Sequence, residues 1–177
     1  MKRILAVLVE NHPGVLARVA GLIRRRGFNI ESLAVGVTDD PNISRMTLVV
    51  EGDEPTLNQV SKQLDKLIEV LKVTDLDAEQ TVARELALIK VSSDPVRRPQ
   101  ILQLASVFRA NVVDVGKEAV TIEVTGTHDK VEALINLTRE FGVQEVVRTG
   151  IIALARGAGA IKFEREDHHY DQDVLRV

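Results

Sequence analysis

The sequence predicts an α+β fold of two βαββαβ units in tandem, and three observations carry that prediction. The chain repeats its own pattern: Arg3-Ile4-Leu5-Ala6-Val7 falls over Glu85-Leu86-Ala87-Leu88-Ile89, and Phe28-Asn29-Ile30 falls over Ala110-Asn111-Val112. Within each copy the apolar residues switch between the two-residue period of a strand and the 3.6-residue period of a helix. The order in each copy is strand, helix, strand, strand, helix, strand, the split β-α-β pattern of ferredoxin-like domains. A length of 177 residues accommodates two such small domains.

In the first copy strands are expected at about 3–10, 29–37, 44–51 and 68–75, with helices at 13–26 and 54–66. The first helix sets Val15, Leu16, Val19, Leu22 and Ile23 on one face. Pro13 suits its first turn, Gly27 the residue just past its end, and Arg24, Arg25 and Arg26 the negative pole of its dipole. A short insertion around Thr38-Asp39-Asp40-Pro41-Asn42, absent from the second copy, reads as a hairpin turn.

The second copy places strands at 85–91, 111–116, 119–125 and 143–149, and helices at 95–109 and 128–141. Thr127 is the expected N-cap of the last helix and Gly142 its stop. Residues 76–84 form the expected joint. From Ile161 onward the chain is mostly charged or polar, and a poorly ordered tail is expected over 161–177. Both helices of each copy fall on one sheet face. Strand positions such as Ile4, Ala6 and Leu8 are nevertheless apolar on alternate residues, so each copy is expected to bury its other face or an edge against a domain or subunit.

Composition excludes several function classes. The net charge of −3 does not favour nucleic acid or anionic membranes. Aromatic residues at 3% leave little for base stacking, and no helix-turn-helix pattern or basic stripe is present. No apolar run approaches the ~20 residues of a membrane span. The Met1–Val9 stretch stops at Glu10 without a small-residue cleavage motif and reads as a strand, not a leader. The absence of cysteine suits a cytoplasmic protein and removes thiolate metal sites.

No catalytic or metal-binding set is expected. The four histidines are His12, His128, His168 and His169, and none is spaced for a nucleophile–base pair. The acidic, His-containing run 166–173 lacks the spacing of a defined metal site, and Arg156-Gly157-Ala158-Gly159 lacks the following helix of a dinucleotide fingerprint.

The Asn11–Leu16 turn carries more chemistry. A helix start leaves unpaired N–H groups and a partial positive charge, and Gly14 lets a carboxylate come close to them. Asn11 either caps the helix or hydrogen-bonds a ligand amine, and His12 is read for capping or ligand contact. Asn29 opens the next strand and is expected close to the same sheet edge. Two amides beside an open helix start suit an amino acid; the plain alternative is a helix start at Asn-His-Pro-Gly and a stop at Gly-Phe-Asn.

Three segments bear on that choice: Glu10-Asn11-His12-Pro13-Gly14-Val15-Leu16-Ala17-Arg18-Val19, Arg26-Gly27-Phe28-Asn29-Ile30-Glu31-Ser32-Leu33, and Asp39-Asp40-Pro41 leading to Ser44-Arg45-Met46-Thr47. In these, the chain resembles the ACT-domain small subunits of acetohydroxyacid synthase, also called acetolactate synthase. The likeness covers about residues 2–160. It implies an ACT domain at 1–77 for effector binding and dimerisation, and a second ferredoxin-like domain at 84–160 that contacts the catalytic subunit. It implies a regulatory chain, not an enzyme, with no cofactor of its own. Its large-subunit partner would carry thiamine diphosphate, magnesium and FAD, be activated by this chain, and become subject to feedback inhibition by a branched-chain amino acid, valine first.

The resemblance further implies an effector between two side-by-side ACT domains. Asn11, Gly14, Val15 and Leu16 would come from one chain, and Asn29 and Ile30 from its neighbour. The second copy has Ser92-Ser93-Asp94-Pro95 in place of the Gly14 turn and is not expected to bind valine equally. The rival expectations are a stand-alone amino-acid-sensing ACT regulator of another enzyme or of transcription, and a free enzyme on the same scaffold.

Overall fold

A computed structural model describes residues 1–25 and 27–163 of the chain. Arg26 and most of the expected tail, from residue 164, lie outside the described residues. The first domain runs β1 (Lys2–Glu10), α1 (Val15–Arg25), β2 (Asn29–Val37), β3 (Ile43–Glu51), α2 (Glu54–Leu64) and β4 (Val70–Leu76). The second runs β5 (Thr81–Ser92), α3 (Arg98–Val107), β6 (Asn111–Val115), β7 (Ala119–Gly126), α4 (His128–Thr138), β8 (Val143–Arg148) and β9 (Ile152–Ala155). Strand orders are β2-β3-β1-β4 and β6-β7-β5-β8, antiparallel throughout. Both copies are therefore the ferredoxin-like units that the repeat predicts.

Alternation and helical period meet in each core. In the first domain Leu5, Val7 and Val9 of β1, with Met46, Leu48 and Val50 of β3, face Val15, Val19 and Ile23 of α1 and Leu57, Val60 and Leu64 of α2. In the second, Ala87, Ile89, Val91, Val120, Ile122 and Val124 face Ile101, Ala105, Val131, Leu134 and Ile135. Asp53 caps α2 by accepting the Thr56 N–H at 2.9 Å. Thr127 caps α4 as expected. Gly27, at φ +72°, closes α1: its N–H reaches the Arg24 carbonyl at 3.0 Å, and the Phe28 N–H reaches that of Ile23 at 3.2 Å.

Helices α2 and α3 end two residues before expectation, at Leu64 and Val107, and three other helix boundaries differ for a backbone reason. Helix α1 starts at Val15, not at 13, because Gly14 sits at φ +92°. Its carbonyl accepts the first helical bond, from Arg18 at 3.0 Å, which leaves Pro13 outside the helix. Helix α3 starts at Arg98, not at 95, behind a turn held by the Asp94 side chain. Helix α4 ends at Thr138; Arg139–Phe141 tighten into a 3₁₀ turn before Gly142 at φ +92°.

The larger correction concerns the joint. Residues 81–84 are strand, not linker. The N-terminal third of β5 leaves its own sheet and pairs with β9, matching Thr81 to Ala155 and Arg84 to Ile152. This two-stranded ribbon lies on the helix-free face of the first sheet. Ala6 and Leu76 are buried there against Ala153, with Ile4, Ala83, Ala155 and Ile161 packed around them. Two polar contacts and one close backbone approach lock the ribbon down. The Arg45 guanidinium donates to the Ala153 carbonyl at 2.6 Å, and the Ile151 N–H donates to Ser32 Oγ at 2.8 Å. Gly150, at φ +80°, lies so close to β2 that a Cβ there would come within 2.9 Å of the Leu33 carbonyl oxygen.

Gly150→Ala is expected to lower the urea midpoint, by about 1–3 kcal/mol in stability. Gly157→Ala serves as the control, because Gly157 has φ +66° but open space where a Cβ would sit. Equal losses in both variants would mean that the close approach of Gly150 to β2 adds nothing beyond backbone strain.

Candidate functional site

The turn between β1 and α1 lies at the C-terminal end of β1, beside the start of β3. Its shape comes from the 38–42 hairpin. Asn11 Nδ2 donates to the Pro41 carbonyl at 2.8 Å, and the Asn11 N–H donates to the Asn42 carbonyl at 2.8 Å. The hairpin in turn closes on itself, with Asp40 Oδ1 accepting the Asn42 N–H at 2.8 Å and Thr38 Oγ1 donating to the carbonyls of Asp40 and Ile43. The insertion of the first copy is thus what fixes Asn11. The side chain of Asn11 does not cap α1, which corrects that alternative.

Nor does His12 cap the helix. Its ring contacts the Pro13 carbonyl at 3.1 Å and Glu10 Oε2 at 3.0 Å. These acceptors, the Pro13 carbonyl first and then Glu10, raise its pKa above 6.5. Asn11, His12, Gly14 and Leu16 are exposed, whereas the Val15 side chain turns into the core. Val15 therefore offers a ligand only its N–H. Among the described residues no side chain accepts from the N–H groups of Gly14 or Val15. The start of α1 is an open set of donors, with Leu16 as an apolar shoulder that is 45% exposed.

Asn29 and Ile30 lie elsewhere. Asn29 pairs with Glu51, and Glu51 pairs with Lys2, so Asn29 stands at the N-terminal end of β1. A nine-residue strand spans roughly 27 Å. The expectation that Asn29 lies near the Gly14 turn is corrected for a single chain: the two mark opposite ends of one sheet. The Asn29 amide is exposed, and Ile30 is partly buried against the domain core. Strand β2, which carries both, is an end strand bonded to β3 alone.

Sequence reasoning missed Ser32, Gly150 and the Arg45–Ala153 bond, because their partners lie more than a hundred residues away in the chain. The only local signal was the glycine at 150. Among the described residues no group of three or more His, Cys, Asp or Glu is placed to hold a metal ion. No helix among them is long and apolar enough to cross a membrane.

Two ferredoxin-like domains in tandem, the first with an open helix start after its inner strand β1 and with β2 as an end strand, define a protein of the ACT class. Residues 5–72 match the family described as "AHAS small subunit-like ACT domain", and residues 84–157 match "Small subunit of acetolactate synthase". The chain is 57% identical over 157 residues to a probable acetolactate synthase small subunit of Archaeoglobus fulgidus, covering 89% of this chain and 98% of that one. It is 52% identical to the acetolactate synthase small subunit of Mycobacterium bovis, covering 89% and 94%. The crystal structure of the acetolactate synthase small subunit from Thermotoga maritima superposes with a TM-score of 0.83 at 46% identity, covering 89% and 98%. This chain belongs to the acetolactate synthase small-subunit family.

The His12 ring is expected to titrate with a midpoint above 6.5, followed by NMR of its ring protons. A folded-state pKa above the unfolded value means that the contribution of His12 to stability is full below about 6.5 and is lost as pH rises through the folded midpoint. In Glu10→Gln the midpoint is expected to fall; an unchanged midpoint would remove Glu10 as a cause.

Proposed function

We propose that this chain is the regulatory subunit of an acetolactate synthase. It activates a thiamine-diphosphate-dependent catalytic subunit, which holds magnesium and FAD as well, and contacts it through the second domain. It confers feedback inhibition by a branched-chain amino acid, valine first, bound between the ACT domains of two chains.

One observation carries the reading: the open donors at Gly14 and Val15, and the exposed amide of Asn29, sit at opposite ends of a domain whose end strand β2 is bonded to β3 alone among the described residues. Strand β2 runs parallel to β1, because both are antiparallel to β3. A second copy added antiparallel along β2 therefore brings its own Asn29 to the Gly14 end. A two-fold axis then completes two equivalent sites. In each, the α1 donors of one chain hold the ligand carboxylate and the Asn29 amide of the other holds the ligand's polar end. Leu16 of one chain and Ile30 of the other supply the apolar wall that a branched side chain needs. Valine that binds one dimer arrangement better than another shifts the catalytic subunit by that difference, typically ~1–3 kcal/mol.

Isothermal titration of the purified chain with valine is expected to show saturable binding, with serine silent. Gly14→Asp and Asn29→Ala are each expected to abolish it. Gly14→Asp also strains a backbone at φ +92°, so its folding is checked by circular dichroism. Mixing the two defective chains supplies the deciding result. A mixed dimer pairs the intact Gly14 of one chain with the intact Asn29 of the other, and binding returns in part. No recovery on mixing, with both variants folded and exchanging partners, would sink the shared site.

A further inference from the structure

Between the first sheet and the β5–β9 ribbon lies a groove of about 540 Å³. Leu8, Ala34 and Gly36 line it from the first sheet, and Val82, Ile152 and Leu154 from the ribbon. Its volume falls in the range of small-molecule sites, which recur at domain joints. Ile152 and Leu154 are 59% and 57% exposed, so these walls keep apolar surface in water. The groove is open above Gly36: a Cβ there would meet nothing within 4 Å, and this glycine does not stand in the left-handed region.

Two arginines line the same groove, Arg45 of β3 and Arg84 of β5. The Arg45 guanidinium is half-buried and donates to the Ala153 carbonyl at 2.6 Å. Arg84 donates to the Ala83 carbonyl at 2.7 Å. A guanidinium carries five N–H donors, so each keeps donors to spare. Elsewhere Arg3, Arg18, Arg97 and Arg148 pair with aspartate or glutamate. Among the described residues Arg45 and Arg84 have no such partner. Burial lowers the pKa of Arg45, as expected for a cation taken partly out of water with no anion to offset the loss. Asp39, from the hairpin, is the one acidic residue of the lining. Two arginines against one aspartate leave the groove positive, and no aromatic ring lines it.

We propose that this groove binds a monocarboxylate with an aliphatic body. The carboxylate takes the spare donors of Arg45, a bidentate match for a guanidinium, and Arg84 adds its charge. The body lies along the branched walls of Val82, Ile152 and Leu154. A single negative charge fits the lining, because a second would meet Asp39. The ligand touches both domains, so its binding free energy adds to the joint that the ribbon makes. This site is separate from the effector site proposed above and does not depend on it.

Methyl-resolved NMR of the full chain tests this, with octanoate as the probe. Octanoate is expected to shift the methyl groups of Val82, Ile152 and Leu154 saturably and to raise the urea midpoint. Octan-1-ol and octylammonium have the same body without the negative charge, and each is expected to bind at least about tenfold more weakly. Arg45→Gln is expected to weaken octanoate by about tenfold. Gly36→Leu fills the groove on a backbone that accepts a side chain and is expected to abolish the shifts.

An absence of saturable methyl shifts with octanoate overturns the proposal, as do shifts confined to the Gly14 and Val15 amides. Equal binding of octanoate and octan-1-ol overturns it as well, because apolar surface alone would then account for the binding. Should Arg45→Gln fail to fold, unchanged octanoate affinity in a folded Gly36→Leu overturns it instead.

Discussion

A four-stranded sheet with both helices on one side has a second face that must also leave water, and this molecule is organised around covering it. Ile4 and Ala6 of β1 and Leu76 of β4 point away from the helices. The β5–β9 ribbon covers them. Small residues at the contact, Ala6 under Ala153 with Ala83 and Ala155 beside them, let the two layers approach closely. Apolar burial of this kind contributes roughly 25 cal/mol per Å². The long strand β5 belongs to both layers, pairing with β9 at its start and with β7 and β8 further on. The domains are therefore joined by shared strand as well as by packed surface.

That joint reaches the functional edge. Gly150 and Ile151 touch β2 at Ser32 and Leu33, where the pairing of β2 with β3 shifts register. The strand on which dimerisation and Asn29 depend in the proposed function is thus held from behind by the second domain. In the dimer proposed above, a change in how two copies meet along β2 has a short mechanical route to the other half of the chain, through Ser32 and the 149–151 segment. A half-buried, hydrogen-bonded arginine, Arg45, stiffens the same layer a few residues along β3.

The two helix entries differ in what meets their first N–H groups. Each domain presents the first N–H groups of a helix at the end of a sheet. In the second, Asp94 accepts the N–H groups of Val96 and Arg97, and in the first His12 turns to Glu10 and the Pro13 carbonyl instead. The insertion at 38–42 adds the other half of the difference, because its carbonyls hold Asn11 and so keep that side chain off the helix start.

By itself the sequence determined the two βαββαβ units, the order of strands and helices in them as far as β8, and Val15, Val19 and Ile23 as the core face of the first helix, because alternation and helical period are local and each repeats. It also marked Gly14 and Asn29, residues whose type is informative without knowing their neighbours. The resemblance carried by the three quoted segments reached the family. What only the tertiary structure decided is long-range: that residues 81–84 are strand, that Ile152–Ala155 pair with them, and that Arg45 and Ser32 bind the ribbon. None of these leaves a periodic trace, since a four-residue strand is too short for alternation to register. The separation of Asn29 from Gly14 is of the same kind. It follows from which strands are neighbours in the sheet, and sheet order is set by packing between residues far apart in the chain.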